Sequence, residues 1–155
     1  TIKGRATGWL NENWRQSFIS VLKNHIPSYV VCIPAYCLMP DHLHLLVAGL
    51  TNTSDQRLFI RATRREMNRL LRPLKLQKEP YDHLLRPSES KSDSFAALVY
   101  CVAENPVRAG LVSRAQDWPF TGAYVPELPE LDPRDANYRE VWWPYWNKCI
   151  SSSSI

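Results

Sequence analysis

His42 and His44 lie two residues apart in Met39-Pro40-Asp41-His42-Leu43-His44-Leu45-Leu46-Val47, and that spacing limits what they can do. Side chains on a strand alternate faces, so both imidazoles point one way while Leu43 and Leu45 point the other, into the core. Two neutral imidazoles on one face can converge on one divalent cation. The same pair also suits the solvated face of a half-buried strand, and only a third donor separates the two readings. Glu104 and Asn105 carry oxygen donors near the end of a downstream apolar stretch. Tyr100 with Glu104, and Cys101 with Asn105, are spaced four apart and share a helix face. Two imidazoles with an amide or carboxylate oxygen suit Mg²⁺ or Mn²⁺ with open positions, where the ion can polarise a phosphate. Asn105 also precedes Pro106, a place where helices end for backbone reasons alone.

A second set of residues is basic. Between Asp55 and Leu74 the period is helical, with Ile60, Met67, Leu71 and Leu74 on one stripe. Arg57, Arg61, Arg64, Arg65, Arg69 and Arg72 form the opposite side, interrupted by Glu66. Such a face is either simply solvated or a rod of charge able to track phosphates. Trp142, Trp143 and Trp146 can stack on unpaired bases, but aromatics near a chain end more commonly dock that end on the core.

These residues need elements to hold them. Trp14, Phe18, Leu22 and Ile26 recur at helical spacing and predict a helix over 12–25, capped by Asn11 or Asn13 and closed by Pro27. Tyr29 to Leu38 is rich in β-branched and aromatic residues and reads as a strand. Pro34 cannot donate to a ladder, which favours a sheet edge or a bulge. Pro40-Asp41 turns the chain into a second strand, His42 to Val47, whose apolar character suits the sheet interior. Residues 75–86 read as extended and 87–92 as loop and cap. A third helix is predicted from Asp93 or Ser94 through Val102, stopped or kinked by Pro106. The proline-punctuated remainder should wrap around the domain, anchored by its tryptophans.

With an upstream strand this order becomes βαββαβ: an α+β, ferredoxin-like split βαβ sheet with helices on one face. The expected organisation is one domain over 1–150 with a flexible tail at 151–155. Apolar residues at 45% and charged ones at 22% fit a folded globular chain, and a net charge of +4 is compatible with a polyanionic partner. Cys32, Cys37, Cys101 and Cys149 show no C-x-x-C spacing, and there is no signal-peptide or membrane-spanning run. A cytoplasmic location and no membrane partner are expected.

Four segments together carry a family resemblance. They are Tyr36-Cys37-Leu38-Met39-Pro40-Asp41-His42-Leu43-His44, Tyr81-Asp82-His83-Leu84-Leu85-Arg86, Glu104-Asn105-Pro106-Val107-Arg108-Ala109-Gly110-Leu111-Val112, and Trp118-Pro119-Phe120-Thr121-Gly122-Ala123. In this order and spacing the chain resembles the REP-associated tyrosine transposases, a branch of the HUH single-tyrosine transposases. The resemblance implies a domain that cuts and rejoins single-stranded DNA beside a hairpin through a 5′-phosphotyrosine, as monomer or homodimer. It implies that His42, His44 and Asn105 hold Mg²⁺ or Mn²⁺, with the basic helix gripping the hairpin stem.

One position departs from the family. Its nucleophile stands four residues before the asparagine of the Asn-Pro motif, and here that residue is Cys101. Tyr100 is one residue early, turned by about 100° on a helix, and is expected to point away from the histidines, toward the core. Cys101 is expected to be a small buried hydrophobe. Three readings follow: an inactive relative that still binds hairpin DNA, cleavage by Tyr100 in a shifted register with Glu104, or reaction at Cys101.

Overall fold

The computed structural model describes residues 1–79 and 92–152. The Tyr81 to Arg86 motif, His83 and residues 87–91 of the loop expected at 87–92 lie outside the described residues, and Ser92 is helical. The elements are α1 (Glu12–Tyr29), β1 (Val31–Met39), β2 (His42–Gly49), α2 (Gln56–Leu70), α3 (Ser92–Ala103), α4 (Asn105–Arg108), β3 (Thr121–Tyr124) and α5 (Tyr138–Ser152).

Helix α1 begins where the Asn11 side chain accepts the Trp14 N–H at 2.9 Å, satisfying one otherwise orphaned donor. It buries Trp14, Phe18, Leu22 and Ile26, one residue per turn. Pro27 does not close it. The helix continues to Tyr29, because one missing donor in the last turn removes a single hydrogen bond. Helix α2 is capped by Asp55, which accepts the Leu58 N–H at 2.8 Å, and buries Phe59, Thr63 and Met67. It stops at Leu70, short of the expected Leu74.

The three-stranded antiparallel sheet has the order β2-β1-β3. Strand β1 is therefore central, not at an edge, and β2, expected in the sheet interior, is with β3 an outer strand among the described residues. The reason β1 can carry Pro34 in the centre is a bulge. Its register shifts against β2 between Cys32 and Ala35 and against β3 between Ile33 and Tyr36. The proline sits where the ladder is already broken, so no bond depends on its missing N–H. Its carbonyl is satisfied from far away in sequence, by the Tyr138 hydroxyl of α5 at 3.1 Å.

The extra residue also exchanges the faces of the strand. Val31, Ile33, Tyr36 and Leu38 pack in one core with Trp14, Phe18, Leu22, Phe59 and Met67. Cys32, Ala35, Cys37 and Met39 pack in a second core with Phe95, Val99 and Trp142. The α+β class is as the sequence implied, but the helices, expected on one face, are shared between two: α1 and α2 on one side, α3 and α5 on the other.

The final segment does more than wrap. It supplies β3 and the 15-residue α5. Gly122 in β3 is required because a Cβ there would lie 2.8 Å from the Tyr36 hydroxyl. Trp118 Nε1 donates to the Leu38 carbonyl at 2.9 Å, and Arg134 donates to the Trp118 carbonyl at 2.9 Å while pairing with Asp132. Trp142 is 1% exposed, between Phe95 and Trp146 at centroid distances of 5.5 and 5.6 Å, so the tryptophans do anchor the chain end. Trp142→Ala should cost about 3–5 kcal/mol, measured as a lowered urea midpoint with an unchanged slope.

Candidate functional site

The Pro40-Asp41 turn pairs Met39 with His42 and fixes the register of β2. Leu43, Leu45 and Val47 pack against the α1–α2 core, and Leu46 and Ala48 belong to the α3–α5 core. By strand alternation His42 and His44 share the α3 side, as the sequence predicted. Their Nε2 atoms are 3.1 Å apart and their ring planes cross at 81°. Burial, and then the charges of His42 and Arg108, push the His44 pKa down to about 4. His44 is thus a neutral imidazole near neutral pH, the form that can donate a lone pair to a metal.

The donor set fits a divalent cation. Two metal–nitrogen bonds of about 2.1 Å meeting at a right angle place their nitrogens about 3.0 Å apart, close to the separation seen here. Among the described residues no cluster of three His, Cys, Asp or Glu side chains forms. Glu104 is therefore not gathered with the histidines, and the remaining protein donor named by the sequence is the Asn105 amide oxygen. Asn105 opens α4 and is half-buried, and its amide nitrogen donates back to the Cys101 carbonyl at 2.9 Å and the Val102 carbonyl at 3.3 Å. Its oxygen is left available for a further partner.

Tyr100 and Cys101 are placed differently from expectation. The core face of α3 is taken by Phe95, Val99, Val102 and Ala103. Tyr100 falls off that face and is 61% exposed, in solvent and not in the core. Cys101 is exposed too, not a buried hydrophobe. The neighbouring Cys101 raises the pKa of the Arg108 guanidinium, which also lies within electrostatic reach of His44. Arg108 thus joins the residue in the family's nucleophile position to the histidine side.

The arginines of α2 divide. Arg61, Arg64, Arg65, Arg69 and Arg72, with Lys75, line a groove of about 630 Å³, and Arg57 does not reach it. Arg64 donates to the Gln77 carbonyl at 2.7 Å, and Arg65 and Arg69 pair with Glu66 at 3.6 and 2.8 Å. Arg64 also lines a smaller cavity of about 190 Å³ that reaches His42 and His44 along the open edge of β2. The basic groove and the histidine pair are connected through that one side chain.

Three residues at the site were missed from sequence. Asp41 was read only as a turn residue, and its carboxylate meets His42 Nδ1 at 2.6 Å. Arg5 reaches the same carboxylate at 2.8 Å across 36 residues, a pairing that no local pattern announces. Arg108 was visible only as part of a motif. Its place beside Cys101 follows from the break between α3 and α4.

No protein-family model matches the chain. In sequence it is 25% identical over 148 residues to a Haemophilus influenzae protein assigned as a REP-associated tyrosine transposase, covering 86% of this chain and 79% of the relative. In structure it superposes with a TM-score of 0.63 and 20% identity on a REP-associated tyrosine transposase solved bound to a REP hairpin, covering 77% of this chain and 70% of that one. The α+β fold is thus similar to that of the solved transposase. Both proteins it resembles, in sequence and in structure, are REP-associated tyrosine transposases, the family whose resemblance the sequence carried.

Burial predicts an order of thiol reactivity. Burial raises the thiol pKa of Cys32 strongly and pushes that of Cys37 up to about 11, whereas Cys101 faces solvent. Titrating the native protein with a maleimide should label Cys101 first and leave Cys32 and Cys37 unmodified until denaturant is added, as read by peptide mass spectrometry.

Proposed function

We propose that this protein binds hairpin DNA in the manner of a REP-associated tyrosine transposase, holds Mg²⁺ or Mn²⁺ at His42, His44 and Asn105, and does not use position 101 to cut. The observation that carries this reading is the pair of Nε2 atoms 3.1 Å apart, with Arg108, which also interacts with Cys101, within electrostatic reach of His44. A bound cation would act as a Lewis acid toward a phosphate oxygen. The chain's own part is to present the neutral His44 imidazole beside His42, to set Arg108 where it meets phosphate charge, and to steer the duplex stem into the α2 groove. No helix among the described residues is long and apolar enough to cross a membrane.

Cleavage is the second reading, favoured by the exposure of Tyr100 at 61%, which leaves its hydroxyl open to a DNA strand. A phenol of pKa about 10 is a weak nucleophile unless a cation or base assists it. Tyr100 stands about 100° around the helix from Cys101, so DNA would have to approach from a different side of α3. The family's chemistry would then be retained in a shifted register.

Incubation with a labelled hairpin oligonucleotide carrying a single-stranded flank, in Mn²⁺, separates these readings. The wild type should give no SDS-resistant adduct and Cys101→Tyr should give one. A wild-type adduct abolished by Tyr100→Phe would establish the second reading instead. Hairpin affinity by fluorescence anisotropy should fall in Arg61→Gln/Arg72→Gln, and the slope of log K against log salt should flatten by roughly 0.9 per lost phosphate contact. An unchanged slope would remove the α2 groove from the interface.

A further inference from the structure

Resting on the cation-site reading above, we infer that Asp41 is a positioning residue that fixes the tautomer of His42 and so aims its Nε2 lone pair at the point shared with His44. The geometry is short and specific: Asp41 Oδ1 lies 2.6 Å from His42 Nδ1. A carboxylate accepts only, so the proton between them sits on Nδ1 and, in the neutral ring, Nε2 is bare. A metal-ligating histidine needs that arrangement, with the distal nitrogen held by an acceptor while the other faces the ion.

Asp41 is itself held from two directions. Its main-chain carbonyl accepts the Ile2 N–H at 2.9 Å, and its Oδ2 accepts from Arg5 Nη1 at 2.8 Å. The segment delivering Arg5 is bent for the purpose: Gly4 and Arg5 have φ of 70° and 55°, left-handed values that cost a non-glycine residue energy. Ile2, fully buried, pins the segment's start. The carboxylate therefore has little freedom to rotate away from His42.

The consequence is a division of labour between the two histidines. Without metal, His42 Nε2 accepts across the 3.1 Å contact and His44 Nε2–H donates. A cation that takes both Nε2 lone pairs requires His44 to move its proton to Nδ1. His42 needs no such change, because Asp41 has already made it.

Long-range ¹H–¹⁵N spectra of the imidazoles test this on the full chain, with Mg²⁺ as a diamagnetic ligand. His42 should carry its proton on Nδ1 with and without Mg²⁺, and His44 should change tautomer on loading. In Asp41→Ala and in the milder Asp41→Asn the His42 tautomers should mix in the metal-free protein. Calorimetric Mn²⁺ affinity should fall about 10–100-fold in Asp41→Ala, with a smaller loss in Asp41→Asn. His42 already protonated on Nε2 in the wild type, or wild-type Mn²⁺ affinity in both variants, overturns the proposal. A wild type that takes up no Mn²⁺ fails the cation-site reading separately. The metal-free spectra then still decide Asp41: mixed tautomers in the variants support its role, and an unchanged His42 refutes it.

Discussion

The bulge at Pro34 is the constraint on which the rest of this structure depends. A central strand must feed two cores at once, and a regular strand does so by strict alternation. Here one extra residue shifts the alternation, so Val31 and Ile33 join the same core as Tyr36 and Leu38. The register that results pairs Met39 with His42 and Cys37 with His44. A strand without the extra residue would put Tyr36 and Leu38 under α3, and Cys37 and Met39 under α1. The hairpin beyond would be inverted with them, and the histidines would face the wrong helix layer. The bulge therefore decides which side of the sheet carries the chemistry.

Much of this was legible in the residues. The two-residue period placed both imidazoles on one face, the Asn11 cap and the Trp14, Phe18, Leu22 and Ile26 stripe defined α1, and Pro106 marked the break between α3 and α4. These are local signals, carried by spacing. What was not legible is what tertiary pairing decides. Pro34 suggested an edge or a bulge, and nothing local chose between them until β3 was found on the second side. Strand β3 is only four residues long, too short to show a period. Helix α5 carries Pro144 in its interior, which reads as a breaker but is tolerated because the Trp142 face is buried. The exposure of Tyr100 and Cys101 followed from which residues of α3 the second core had already claimed.

The site shows the same split. The histidine pair and the arginine helix are sequence patterns, and the structure connects them through Arg64. The parts that set their chemistry come from other chain segments: Arg5, far away in sequence, acting on Asp41, and Arg108 of α4 acting near Cys101 of the adjoining α3. An exposed ion pair such as Arg5 with Asp41 adds little to stability by itself. Its value here lies in orientation, since a carboxylate held at both oxygens cannot serve His42 from a random angle.

The contact between the Tyr138 hydroxyl and the Pro34 carbonyl has a consequence for the order in which the molecule comes into being. The two residues are 104 positions apart. On the ribosome β1 and the histidine hairpin emerge early, with the first core available to them from α1 and α2. Helix α3 covers part of the second face of β1 first, but the bulge carbonyl and the Trp142 side of the second core stay open until α5 has been synthesised. A nascent chain halted before residue 138 holds β1 against a second core that still lacks Tyr138 and Trp142, the kind of incompletely packed intermediate prone to aggregation. The last helix thus acts as the seal that completes the earliest-made strand.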